Sequence, residues 1–488
     1  MSNLEKHSRS NFQTALYALS LDRTAAAPLH VQLADALRRM ILTGTAPPGA
    51  RLPASRALAG ELSISRMTAT TALDQLTAEG YLETRRGAGT FVAADLPHIA
   101  PPAPTPATGP EPAMPRAPLP FHPAMPDLSA FPHTLWARHL ERAWRKPDPA
   151  LLALPDPAGY APLRAAIAAH LSAWRGLEVS AGQIFITSGA TQAFDLAAQA
   201  LLSPGDTVLS EDPGFAPMRA AMHAAGLVAC PIPVDAEGFD IDAAARAHPQ
   251  AHAVLVTPSR HYPLGITLPL PRRLALLDWA TRSGGYIFED DYDSEFRYIG
   301  QPLPALSALD GAGRTLYIGS FSKLLSPALR LGYLVVPTPL LPRFADPLAT
   351  HPGASLVPQP ALASFMESGE FAAHLRKMRR LYARRQKAIL TALETHMPNL
   401  LAVTPDPSGM HLVARPGPGL TRSDTEISAR AAAAGLTLPA LSRYFTKSPQ
   451  QGFVLGYAGF DEATLDAAVR HLASLLLDRR HPTAALEP

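Results

Sequence analysis

At 488 residues with 47% hydrophobic side chains, the chain is too long for one ordinary domain and holds enough apolar material for two or three. Its formal net charge of +2 neither demands nor excludes an anionic partner, because charge summed over such a length hides local patches. One cysteine, Cys230, excludes an intrachain disulfide and carries no assigned role, and the absence of a membrane-length apolar run or a cleavable leader predicts a soluble, cytoplasmic protein with no membrane partner.

The first unit is predicted over residues 1–93, with its folded core at 25–93. In "PLHVQLADALRRMILTG" the positions Val31, Leu33, Leu37, Met40 and Ile41 give an amphipathic helix ending at Gly44. "ASRALAGEL" gives a second helix. "SRMTATTALDQLTAEGYL" gives a third, with Ser65 as N-cap and Ala69, Ala72, Leu73 and Leu76 facing inward. "YLETRRGAGTFVA" then reads as two short strands joined by a turn. Helix-turn-helix followed by a β-wing resembles the GntR family of transcription regulators. An α-helix enters the DNA major groove with its N-terminal residues against base edges, while the preceding helix and a basic wing hold phosphates. The DNA-contacting candidates are therefore Ser65, Arg66, Thr68 and Thr70 on the recognition helix, Arg56 on the helix before it, and Arg85, Arg86 and Gly89 at the wing. Residues 25–93 hold seven Lys/Arg against five Asp/Glu, an excess too modest for a strong grip from a single site.

Residues 94–120, "ADLPHIAPPAPTPATGPEPAMPRAPLP", have frequent proline and no apolar period, and are predicted to form an extended linker. Beyond it, residues 121–488 alternate strand-like and helix-like segments: "QIFITSG" before the helix "ATQAFDLAAQALL", then "DTVLSEDPG", "HAVLVTPS", "YIFEDDYD", "TLYIGSFSK" and "LGYLVVP". This is an α/β pattern, in which ligands bind at the carboxyl ends of the strands.

The strand ends carry the chemistry. In "TSGATQAFDL", Ser188, Gly189, Ala190 and Thr191 lie where a strand yields to a helix, a place for a phosphate. "YIFEDDYDSEF" adds Glu289, Asp290, Asp291, Tyr292 and Asp293; no matching histidines lie nearby, so no metal is expected. "SFSKLLSPALRLGY" adds Ser320, Ser322, Lys323 and Arg330. A lysine amine forms a Schiff base with an aldehyde cofactor, and pyridoxal 5'-phosphate (PLP) further requires an acid at its ring nitrogen, a donor to its phenolic oxygen and a phosphate grip. Lys323, Asp290 and Tyr292 fill the first three roles. Ser188, Gly189, Ala190, Ser320, Ser322 and Arg330 fill the last, and Phe215 of "EDPGFAP" can stack on the ring.

That order of strand-end residues resembles the fold-type I aminotransferases related to aspartate aminotransferase. Together with the N-terminal unit, and with "EDDYDSEFRY", "SFSKLLSPALRLGYLV" and "SGEFAAHLRKMRRLYARR", it resembles the MocR subfamily of GntR regulators. The resemblance implies a homodimer that binds a double-stranded DNA operator, with the winged unit near the partner's large domain, and with PLP, an amine or an amino acid as effector. It also implies that Tyr160 of "DPAGYAPLR" reaches the neighbouring subunit's cofactor phosphate. Two departures stand out. "TPSRHYPLG" places Arg260 and His261 where the subfamily has a His-Gln pair, which adds a cation to the expected effector pocket. Phe453 occupies the place of the enzymes' carboxylate-binding arginine, for which Arg443 is the candidate substitute. The alternative to a regulator is a working aminotransferase with an accessory DNA-binding unit.

Overall fold

A computed structural model describes residues 16, 19–85, 87–96, 117–147, 149–153, 156–350 and 353–477. Most of the expected linker and Arg86 lie outside the described residues. The chain divides into two units, residues 1–115 and 116–488.

In the first unit, α1 (Leu29–Leu42), α2 (Ser55–Glu61) and α3 (Arg66–Ala78) precede a hairpin of β1 (Leu82–Arg85) and β2 (Gly89–Val92). The apolar period drives the packing: Leu33, Leu37 and Ile41 of α1 close on Leu58 of α2 and on Ala69, Ala72, Leu73 and Leu76 of α3. Ser65 caps α3, its Oγ accepting from Thr68 N at 3.0 Å. Arg51 bridges to Phe91 and adds a third edge to the wing. Gly89, at φ 112°, leaves room for it: a Cβ there would stand 3.3 Å from Arg51 Nε.

The second unit is built on a seven-stranded sheet of β3 (Ile184–Thr187), β4 (Thr207–Asp212), β5 (Val228–Pro233), β6 (Ala251–Val256), β7 (Tyr286–Asp291), β8 (Thr315–Ser320) and β9 (Gly332–Val335), in the order β3-β9-β8-β7-β6-β4-β5. β9 runs antiparallel to both neighbours and the remaining pairings are parallel. β3, β8 and β9 are buried along nearly their whole length, in keeping with their mostly apolar content. Helices cover the sheet, among them α4 (Ala161–Arg175), α5 (Ala190–Leu201) and α6 (Ala216–Ala224). The long α7 (Glu370–His396) leads to a smaller antiparallel sheet, β10 (Leu401–Val403), β11 (His411–Pro416) and β12 (Phe453–Gly456). Among the described residues no helix is long and apolar enough to cross a membrane.

Candidate functional site

A cavity of about 360 Å³ opens at the carboxyl ends of β3, β7 and β8, within the usual range for small-molecule sites. Ten of the residues expected from the sequence line it: Ser188, Gly189, Ala190, Phe215, Asp290, Tyr292, Ser320, Ser322, Lys323 and Arg330. Residues up to 142 apart in the chain meet because consecutive strands end on one side of the sheet.

The floor is the N-terminus of α5. Gly189 is its N-cap at φ 134° and offers no capping side chain to the amides of Ala190 and Thr191, while Gln192 Oε1 accepts from Ser188 N just before it. β9 presses close from behind: a Cβ on Gly332 would sit 2.9 Å from Gly189 Cα and 2.9 Å from Gly319 O. Arg330 follows the short turn after Lys323, with φ 49°, and has no carboxylate partner among the described residues. Ser320 Oγ accepts from Ser322 N at 3.2 Å, which fixes the turn that carries Lys323.

Strand alternation separates the acids of β7. Glu289 accepts from Leu306 N and Ser307 N, both at 2.8 Å, and Asp291 is paired with Arg175 Nε at 2.9 Å and accepts from Tyr317 Oη at 2.6 Å. Asp290 points the other way, into the cavity, and has no hydrogen-bond partner among the described residues. Burial, and then Asp291, push its carboxyl up to about 7, while Lys323 opposes them. Burial likewise holds the Lys323 amine below its usual value, against Asp293 and Asp290. An acid, an amine and an arginine that have no hydrogen-bond or ion-pair partner of their own among the described residues, together with a helix N-terminus, suit a ring nitrogen, a carbonyl and a phosphate. The donor set therefore fits PLP.

Three side chains on the effector side are placed differently from expectation. Arg260 is buried behind Tyr292 and does not line the cavity. Its guanidinium donates to Asp406 at 2.8 and 3.1 Å, to Asp293 at 3.3 Å and to Tyr292 Oη at 3.0 Å. Its charge is thus compensated, and it leaves the Tyr292 hydroxyl proton free to point into the cavity. His261 is also buried. Its Nδ1 accepts from Leu264 N at 3.3 Å, and burial lowers its pKa to about 3, so it is neutral and adds no cation. Arg443 is exposed on the loop before β12 and lies outside the cavity lining. Phe453 is buried in β12. Tyr160 caps α4, its backbone N donating to Gln359 Oε1 at 2.8 Å, and does not line the cavity of its own chain.

Other lining residues escaped the sequence reading. Tyr262 stands edge-on to Phe215 and Tyr292, with centroids 5.6 Å away in both cases, and Thr257 donates its hydroxyl to Glu211 at 2.6 Å. His122 enters from the segment that bridges Phe121 to Gly456. The first unit presents a second candidate site. Arg66 and Met67 are exposed at the start of α3, Met67 to 75%, and Thr68 and Thr70 are half-buried. Ser65 is committed to its cap. Arg56 is exposed on α2, whereas Arg85 is paired with Glu83 and stacks 4.6 Å over Phe91. Exposed Arg51, beside Gly89, joins this set.

The bacterial regulatory proteins of the gntR family match residues 29–92, and the aminotransferase class I and II family matches residues 133–472. The probable rhizopine catabolism regulatory protein MocR of Rhizobium meliloti is 39% identical over 94% of this chain and 96% of its own length. The pyridoxine biosynthesis transcriptional regulator PdxR of Corynebacterium glutamicum is 35% identical over 89% and 93%. Among solved structures, the LysN α-aminoadipate aminotransferase of Thermus thermophilus, complexed with N-(5'-phosphopyridoxyl)-L-leucine, is 28% identical. It has a TM-score of 0.66 and covers 73% of this chain and 92% of its own. The kynurenine aminotransferase of Pyrococcus horikoshii, solved with PMP, is 25% identical with the same TM-score of 0.66, over 75% and 92%. With a gntR-type helix-turn-helix unit followed by an aminotransferase-like unit along nearly its whole length, the chain belongs to the MocR subfamily of HTH-type transcriptional regulators.

Proposed function

We propose that this protein is a homodimeric cytoplasmic regulator that holds PLP in the strand-end cavity and binds an operator through α2, α3 and the wing. Its DNA affinity then depends on the state of Lys323 and on an amine or amino-acid effector. The observation that carries this reading is Asp290, the acid of the β7 strand that lines the cavity with Lys323 and Arg330 and has no hydrogen-bond partner among the described residues.

When bound, PLP supplies an electrophilic carbonyl on an electron-withdrawing ring. The chain's own residues do the rest. Lys323, its amine lowered by burial, is more readily neutral and nucleophilic than a surface lysine. Asp290 holds a proton or a charge against a ring nitrogen. Tyr292, oriented by Arg260, donates its hydroxyl proton toward a phenolic oxygen. The α5 amides, Ser188, Ser320, Ser322 and Arg330 bind a phosphate, Phe215 stacks on the ring, and Tyr160 reaches the partner subunit's phosphate.

The aminotransferase reading stands second, because Arg330 is the one arginine lining the cavity among the described residues and its place is with the phosphate. A substrate carboxylate then lacks a bidentate clamp. Steady transfer of an amino group from an amino acid to a keto acid would reverse this ranking.

Arg330→Ala is expected to weaken PLP binding by about 10- to 100-fold, the range of a charge-assisted contact, and to leave pyridoxal, which has no phosphate, nearly unaffected. Fluorescence titration with both ligands checks it; an equal loss for both means Arg330 does not hold the phosphate. On the DNA side, Arg66→Ala is expected to weaken binding to DNA from upstream of the protein's own gene by about 1–3 kcal/mol, with a smaller effect on unrelated DNA. Fluorescence anisotropy reads the difference.

A further inference from the structure

One side of the cavity offers hydrogen-bond acceptors and almost no donors. His122, Thr257 and Tyr262 line it beside Phe215, and the proposed PLP contacts use none of the first three. Thr257 Oγ1 donates to Glu211 at 2.6 Å and accepts from Tyr262 N at 3.2 Å. Tyr262 Oη donates to Tyr444 Oη at 3.4 Å, and burial pushes its phenol up, so it stays protonated. His122 Nδ1 lies 3.0 Å from Pro123 O, which can only accept. The neutral ring therefore carries its proton on Nδ1, and Nε2 is left an acceptor with no partner among the described residues. All three side chains have committed their protons to the protein.

A strained strap holds His122 at this wall. Phe121 and Ala124, which flank His122 and Pro123, both have left-handed backbones, at φ 70° and 54°. Non-glycine residues keep that conformation only where their surroundings impose it, and such strain gathers at ligand contacts. Here Gly456 N of β12 donates to Phe121 O at 2.9 Å, and a Cβ on Gly456 would collide with His122 O. At the far end of the strap Asp127 accepts from Arg385 Nη2 of α7 at 2.7 Å. The same wall has no cation for an acid. Lys323 and Arg330 are the lysine and arginine lining the cavity among the described residues, and the proposed PLP contacts take both. Arg260 is turned away into Asp293 and Asp406. A carboxylate here would exchange water for acceptor atoms and ring faces, whereas a hydroxyl would supply the proton these acceptors lack.

We propose that the effector is a hydroxylated amine without an acid group, that the wall of His122, Thr257 and Tyr262 recognises its hydroxyl end, and that His122 determines this specificity. The inference rests on the PLP-binding reading of the cavity.

The test is calorimetric titration of the PLP-loaded full chain with three matched sets of probes. These are ethanolamine, propanolamine and butanolamine; glycine, β-alanine and γ-aminobutyrate, which carry a carboxylate in place of the terminal alcohol; and propylamine, butylamine and pentylamine, which carry a methyl in place of the hydroxyl. All present the same amino group, so differences between sets read the far end. The best amino alcohol is expected to bind about 10-fold or more tightly than its amino acid and its alkylamine. In His122→Phe the preference over the alkylamine is expected to fall to about twofold or less, and in His122→Gln, which keeps an acceptor, to return in large part. A ratio taken within one loaded sample does not depend on how much of that sample folds or holds PLP. A loaded wild type that binds an amino acid as tightly as the amino alcohol overturns the effector class, and so does one that binds no amino alcohol. A His122→Phe variant with the wild-type preference overturns the role of His122, as does equal loss of preference in the glutamine variant. A wild type that retains no PLP through gel filtration overturns the PLP-binding reading and this inference with it.

Discussion

Lys323→Ala is expected to abolish retention of PLP through gel filtration and to weaken its equilibrium binding by at least about 100-fold, on the order of 3 kcal/mol. Lys323 supplies the one primary amine lining the cavity among the described residues, so its removal deletes the covalent attachment and leaves only the phosphate and ring contacts. Folding is expected to be spared: among the described residues the amine makes no ion pair, and Asp290, which loses the opposing charge of Lys323, is already held toward its neutral form by burial. The variant therefore separates cofactor control from DNA binding. It is expected to bind upstream DNA at every PLP concentration with the affinity of the cofactor-free wild type, in anisotropy run with and without PLP. A variant that follows the wild-type curve throughout the titration would sink the proposal that Lys323 is the sensor.

Asp290→Asn is expected to act in opposite directions on stability and on binding. Burial raises the carboxyl from 3.8 to about 7 in the folded chain, so without cofactor its contribution to stability is full below about 4 and is lost as pH rises through 7. At 1.36 kcal/mol per pKa unit the change is at most about 4 kcal/mol. Asparagine cannot ionise. The cofactor-free variant should therefore melt higher than cofactor-free wild type at pH 8 and close to it at pH 4, with a flatter profile between. Glu211, pushed by burial up to about 8, stays in the variant, so some pH dependence survives. Binding should move the other way. With no charge to set against a ring nitrogen, PLP should bind about 10- to 100-fold more weakly, and the rise in melting temperature on adding it should shrink. Thermal melts at pH 4, 6 and 8 with and without PLP read both effects. A variant stabilised by PLP as much as wild type at pH 8 would remove Asp290 from the site.

The helices of the winged unit were legible because one face of each is apolar at intervals of three and four, and Ser65 stands where a cap is needed. The cavity was legible for a different reason. Strand ends in a parallel sheet converge, so residues placed after each strand meet whatever the intervening length. What the sequence hides is direction in the loops, where no period applies. In "SRHYP" the two basic residues attract attention, but Arg260 and His261 turn inward and Tyr262 lines the cavity. Arg443 stands outside the lining for the same reason. Among the β7 acids a strict reading of alternation would have divided Asp290 from Glu289 and Asp291 without coordinates. His122 was beyond reach, because its place depends on a bridge between Phe121 and Gly456, more than half the chain away.

β9 is the last of the seven strands in sequence, yet it lies between β3 and β8. The sheet cannot close, and the close approach of Gly332 to Gly189 beneath the cavity cannot form, until the chain beyond residue 335 has left the ribosome. The described part of the winged unit ends at Leu96, which packs against its core, so all of it is made well before β9. At roughly 5–20 residues per second, the interval between the two events lasts on the order of ten seconds to a minute. During every round of synthesis there is a period in which the helix-turn-helix unit exists and the aminotransferase-like unit does not.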